Sequence, residues 1–217
     1  MAPFLIYHRG RHGTLADGRS IKENSLQAFE QALEEGAKMV EFDVWGELRI
    51  SHDPNPKTAM LRLPEVLDLI RGRCAVNVEI KSPAVAKEVL ACVDQALSSG
   101  HWTADQFVLS SFHHETALRC KKGAPALRVG VINDGVLLSS YIEFLHSEGI
   151  DNLHLDWSNI YMDIENGYVL REVARRCDMQ LWIWTVNSTE VYQVVSQYGA
   201  EAVFTDRPDL IIEGRVN

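Results

Sequence analysis

A chain of 217 residues, 46% hydrophobic and 24% charged, is long enough for one large buried core and too short for two comfortable enzyme-sized domains. A single domain over 1–217 is expected. Its 21 basic against 30 acidic residues give a net charge of −9, which excludes a nucleic-acid-coating surface while leaving room for a local basic site for one phosphate. No apolar run approaches the roughly 20 residues that span a bilayer, so no transmembrane segment is expected. The opening Met1-Ala2-Pro3-Phe4-Leu5-Ile6-Tyr7 carries neither a basic leader nor a cleavage site, which points to a cytoplasmic location. Cys74, Cys92, Cys120 and Cys177 are widely spaced, with no Cys-x-x-Cys pair, and read as core thiols.

In chain order, strand-like apolar runs fall at 4–9, 39–44, 75–81, 107–112, 127–132, 152–156, 180–186 and 202–205. Helical patterns fall between them at 25–35, 63–71, 84–98, 115–122, 139–147, 165–176 and 188–198. In the first helix Leu26, Phe29 and Leu33 recur at helical spacing, Asn24 or Ser25 can cap its start, and Gly36 can take the left-handed stop. Near-continuous apolar strands are those of a sheet covered on both faces. Eight strand-helix units predict an α/β fold, a compact (β/α)8 TIM barrel near the lower size limit, with a doubly wound open sheet as the alternative. The longest irregular stretches, 10–23 and 53–63, follow strand ends, which is the catalytic face of such a barrel.

The polar residues at those strand ends are the candidates for chemistry. Strand one ends in His8-Arg9-Gly10. Strand two carries Glu41 and Asp43, two apart and so on one face, where burial and mutual repulsion disfavour both charges unless a cation sits between them. A short return then delivers His52-Asp53, and strand three ends in Asn77-Val78-Glu79-Ile80-Lys81. Hard oxygen ligands at Glu41, Asp43 and Glu79 suit one divalent cation, Mg²⁺ or Ca²⁺, rather than zinc. Arg9 and Lys81 suit an anionic substrate, Arg matching phosphate bidentately. His8 and His52 can serve as general base and general acid near neutrality. Against this stand blander readings. The carboxylates could form a rim salt-bridge set with Arg9 and Lys81. Glu23 and Asn24 could line the pocket or cap a helix. Asp53 could orient His52 or cap its loop, and Asp206 could fix the last loop or position a basic group. Trp182 and Trp184 face one way on strand seven, with Trp184 nearer the rim as a substrate contact. His12, His101, His113, His114, His146 and His154 read as surface or structural.

Taken together, His8-Arg9-Gly10, Glu23-Asn24-Ser25, Glu41-x-Asp43, His52-Asp53, Glu79-x-Lys81, Trp184-Thr185-Val186-Asn187 and Thr205-Asp206-Arg207-Pro208-Asp209 resemble, in order and over nearly the whole chain, the glycerophosphodiester phosphodiesterases. The resemblance implies a TIM barrel that hydrolyses small glycerophosphodiesters to an alcohol and glycerol 3-phosphate. It implies a divalent ion at Glu41, Asp43 and Glu79, catalytic histidines at His8 and His52, and phosphate contacts at Arg9 and Lys81. It also implies attack by the glycerol's own neighbouring hydroxyl, through a cyclic phosphate. The chain departs from the family pattern where Lys22 replaces a proline, in the short turn Trp45-Gly46-Glu47-Leu48, and in the quick passage through Pro54-Asn55-Pro56. No sizeable inserted lobe is expected, and a more open pocket follows. Lysophospholipids in a phospholipase D-like reaction, or other phosphodiesters, are the alternative substrates. A phosphosugar isomerase or aldolase barrel is more remote, because the loops after strands seven and eight lack a Gly-rich phosphate cradle.

Overall fold

Runs of Val, Ile, Leu and Phe with both faces buried build eight parallel strands that close on themselves. In the structure, a computed structural model that describes residues 2–54 and 60–214, these are β1 (Phe4–Tyr7), β2 (Met39–Trp45), β3 (Ala75–Ile80), β4 (Phe107–Ser111), β5 (Arg128–Asn133), β6 (Asn152–Asp156), β7 (Gln180–Trp184) and β8 (Ala202–Thr205). Each pairs with the next, and β1 closes the ring by pairing with both β2 and β8. The helices α1 (Leu26–Glu34), α2 (Leu63–Ile70), α3 (Ala86–Ser98), α4 (His114–Gly123), α5 (Ser139–Ser147), α6 (Trp157–Glu165), α7 (Val169–Arg176), α8 (Thr189–Tyr198) and α9 (Pro208–Gly214) surround it. This is the (β/α)8 barrel expected, and the open-sheet alternative falls with the closure.

Two hydrophobic layers follow from the period of two. Outward-facing strand residues pack under the helices in one large core, while Ile6, Met39, Val108, Trp182, Ala202 and Phe204 fill the inside of the barrel. That inner plug closes the lower barrel, so the polar residues collect above it at the strands' C-terminal ends. All four cysteines are free and buried, as core thiols should be. Among the described residues no helix is long and apolar enough to cross a membrane.

Two departures from the sequence-based expectation are informative. The helix expected over 165–176 is α7, which starts later, at Val169, and a helix that was not expected, α6 over Trp157–Glu165, precedes it. Residues 157–163 combine aromatic, Ser, Asn and Asp residues of modest helix propensity, and α6 forms because Asp156 caps it by accepting from Ser158 N at 2.9 Å while Ile160 is buried. The short α9 was likewise not anticipated. After β2 the left-handed residues Glu47 and Leu48 turn the chain back, and Arg49–Ile50 pairs antiparallel with Val44 and Trp45, bringing His52 to the rim. Asn55 and Pro56, in the expected short passage to α2, lie outside the described residues.

Candidate active site

Register places the carboxylates. Asp43 of β2 lies beside Glu79 of β3, and Glu41 beside Asn77 one layer deeper. Ligand oxygens of Glu41, Asp43 and Glu79 all lie within 4.8 Å of one another, and all three residues are buried. Arg9 Nε is 3.3 Å from Asp43, while Lys81 Nζ is 3.0 Å from Asp43 and 2.6 Å from Glu79. Glu41 accepts the Arg9 backbone N–H at 3.0 Å, an orientation set by the left-handed φ of 56° at Arg9. Gly10 continues that turn at φ +80°, packed so closely that a Cβ would meet the Ala28 backbone at 2.9 Å.

Two cations thus face three buried carboxylates, and Arg9 also serves Glu23, donating to it at 2.9 Å. Negative charge is in excess. Glu41 Oε1 has no hydrogen-bond partner, and Asp43 Oδ1 and Glu79 Oε1 have only the close but poorly aligned Lys81 ammonium. Burial, then the charges of Asp43 and Glu79, push the Glu41 carboxyl well above its usual range. Burial pushes Glu79 up to about 7, Lys81 opposing and Asp43 reinforcing. Burial also opposes ionisation of Asp43, but Lys81 and Arg9 hold its carboxyl below the usual value. Crowded, mutually repelling oxygens with unused lone pairs are the donor set of a hard divalent cation. The residues fit that ion, and the salt-bridge reading leaves one carboxylate unbalanced.

His8 and His52 line the same cavity as Glu41, Glu79, Arg9 and Lys81, a space of about 150 Å³. Asp206, at the end of β8, accepts from His8 Nδ1 at 2.7 Å and from His12 Nε2 at 3.1 Å through one oxygen, and from Asn187 Nδ2 at 2.8 Å through the other. Burial raises its carboxyl, but these hydrogen bonds more than offset this and hold it well below the carboxylate range. With Nδ1 committed to Asp206, His8 turns Nε2 toward Glu41, 3.8 Å away. His52 is depressed below the ordinary imidazole value, first by burial and then by the charge of Arg9.

Glu23 and Asn24 belong to the site: Glu23 through Arg9, and Asn24 by donating to Asp43 Oδ2 at 2.9 Å, while Ser25 caps α1. Trp184 lines the cavity, and Trp182 is buried in the barrel interior. The Asp53 backbone N–H donates to Ser51 Oγ at 3.1 Å. Two histidines have a larger place in the site than the sequence suggested. His12 is not a bystander, since it shares Asp206 with His8. Of the two readings given for His154, surface or structural, the first falls, since it is fully buried, and it lines the cavity with Asn77. The signal was parity: His154 is two residues from Asp156 at the end of β6, and so faces inward.

The family model for the glycerophosphoryl diester phosphodiesterase family matches residues 8–55 and 49–210. The chain belongs to that family. It is thereby a phosphoric diester hydrolase, and the isomerase or aldolase reading falls. The two matched segments overlap at 49–55, shortly after the acidic strand. A glycerophosphodiester phosphodiesterase of Caldanaerobacter subterraneus subsp. tengcongensis is 25% identical over 254 residues, covering 98% of this chain and 97% of the relative. In fold the chain is similar to a Thermotoga maritima glycerophosphodiester phosphodiesterase (TM-score 0.79, 22% identity, 100% and 99% of the two chains covered). It is also similar to an Oleispira antarctica phosphodiesterase solved with its product sn-glycerol-3-phosphate (TM-score 0.77, 22% identity, 100% and 98% covered).

Proposed function

We propose that this chain hydrolyses glycerophosphodiesters to glycerol 3-phosphate and an alcohol, with His8 and His52 as its acid-base pair and Glu41, Asp43 and Glu79 as the holders of one Mg²⁺ or Ca²⁺ ion. What carries the reading is that one cavity joins an Asp206-oriented histidine and a second histidine to a buried carboxylate cluster with excess negative charge. When bound, the divalent ion supplies Lewis-acid stabilisation of charge on the phosphoryl oxygens.

The chain's own residues do the rest. Arg9 and Lys81 offer cationic donors to the phosphate, Arg9 being held in place by Glu23 and Asp43. One histidine takes the proton of the glycerol hydroxyl next to the phosphate, and that oxygen attacks phosphorus. The other histidine delivers a proton to the departing alcohol oxygen. The cyclic phosphate that results is opened by water with the two proton transfers reversed, which regenerates both histidines. An attacking group already on the substrate makes the first step intramolecular, an advantage of several kcal/mol when geometry is right. Asp206 keeps His8 in one tautomer through both steps, and Trp184 borders the space for the substrate.

Incubation with glycerophosphocholine and glycerophosphoethanolamine should release glycerol 3-phosphate, and a chelator should stop it until Mg²⁺ or Ca²⁺ is restored. Full activity after chelation would remove the ion from the mechanism, and no glycerol 3-phosphate from either diester would remove the substrate assignment.

A further inference from the structure

At the floor of the cavity His154 has no exposed surface, and neither ring nitrogen has a hydrogen-bond partner. The ring is held in place: it stacks on Trp182 at 4.9 Å and 8°, with Phe204 at 5.2 Å. Its space depends on Gly130, where a Cβ would come within 2.5 Å of His154 Nε2. Asn77, on the same cavity, spends its Nδ2 on Ser110 Oγ at 3.0 Å and leaves Oδ1 unpartnered and buried. Buried polar atoms without partners are strongly disfavoured against an apolar side chain of similar size, so a site that retains two such residues on the lining of one small cavity is built for a polar guest. Burial pulls the imidazole down to about 3, so it is neutral at pH 7 and offers one N–H donor and one acceptor nitrogen. A hydroxyl group, which donates and accepts once each, complements an imidazole N–H together with a carboxamide oxygen. The cavity of about 150 Å³ is below the roughly 300 Å³ at which drug-sized pockets begin, which suits a small polyol rather than an acylated one.

We infer that His154, with Asn77, binds the third hydroxyl of the substrate's glycerol, the one that neither carries the phosphate nor attacks it, and so selects free glycerol over an esterified one. The inference rests on the glycerophosphodiester reading and makes His154 a specificity residue, with no part in proton transfer. A site of this kind rejects a guest lacking the hydroxyl because its own polar atoms then stay unpaired.

The test is calorimetric binding to the Mg²⁺-loaded protein of two probes, sn-glycerol 3-phosphate and 2-hydroxypropyl phosphate, which keeps the second hydroxyl and lacks the third. The native chain should bind the first at least tenfold more tightly. His154→Leu should erase that preference by weakening the glycerol probe alone, and His154→Gln, which keeps a donor and an acceptor, should restore most of it. Equal binding of both probes by the native chain would overturn the inference. Equal weakening of both by His154→Leu would also overturn it, since a merely structural or water-filled His154 acts on both. Turnover of glycerophosphocholine is read separately. Probe discrimination without turnover would sink the proposed activity and leave the hydroxyl site standing.

Discussion

Asp206 Oδ1 is shared by two histidines, and this sharing ranks the residues around it. Removing an acid-base imidazole should slow turnover of glycerophosphocholine on the order of 10² to 10⁴-fold, so His8→Ala and His52→Ala are both expected in that range with unchanged melting temperatures. Near-native rates in either would remove that residue from the chemistry. Asp206→Asn swaps one acceptor oxygen for an amide that can face His8 with a donor, and that favours the wrong tautomer. We expect turnover to fall on the order of 10²-fold or more with little change in KM, read from steady-state kinetics. His12→Ala removes only the second donor to Asp206. It should therefore cost much less than Asp206→Asn, and an equal loss would make His12 a partner in the chemistry.

Among the elements, β5 and β6 meet closely inside the barrel at Gly130 and His154. Gly130 faces the His154 ring, and Gly130→Ala adds a methyl where a clamped ring already lies. Overpacking of this kind costs about 1–3 kcal/mol, measurable as a shift in the urea midpoint without a change of slope. No shift would show that the ring moves freely. At the other end of β6, Asp156 caps α6, a helix whose sequence has little helical bias of its own. Asp156→Ala should cost about 1 kcal/mol in the same measurement. The strands tell a simpler story. Each was legible from its apolar run because a strand covered on both faces has almost no other composition open to it, whereas helix ends depend on caps that the sequence leaves ambiguous, as with Asn24 and Ser25.

Over the whole molecule, the buried carboxylates couple folding, pH and metal. Burial pushes the Glu79 carboxyl up to about 7 from an ordinary value of 4.5, and raises Glu41 as well. These two groups make the folded state bind more protons than the unfolded chain between about 4.5 and 7, a negative contribution to the slope of stability with pH, while the depressed imidazoles of His154 and His52 contribute the opposite sign below 6.5. Relative to a Glu79→Gln variant, in which the histidines titrate as before, the metal-free protein should lose melting temperature as pH rises through that window, and saturating Mg²⁺ should remove most of this difference by compensating the same charges. The converse is that Mg²⁺ affinity should weaken as pH falls below about 7. A difference between the two proteins that stays flat across the window would show that Lys81 and Arg9 alone neutralise the cluster.

By itself the sequence determined the eight strands and the placement of Glu41, Asp43, Glu79, His8 and His52 on one rim, because a period of two and the strand-end rule of the barrel are local in origin. Only the tertiary structure decided the partners. Asp206 meets His8 across 198 positions of sequence, Asn24 leaves the helix cap for Asp43, and His154 turns inward over a glycine on the neighbouring strand. Such contacts depend on closure of the barrel, which brings β8 against β1 and fixes the register between strands, and no local pattern in the chain carries that distance.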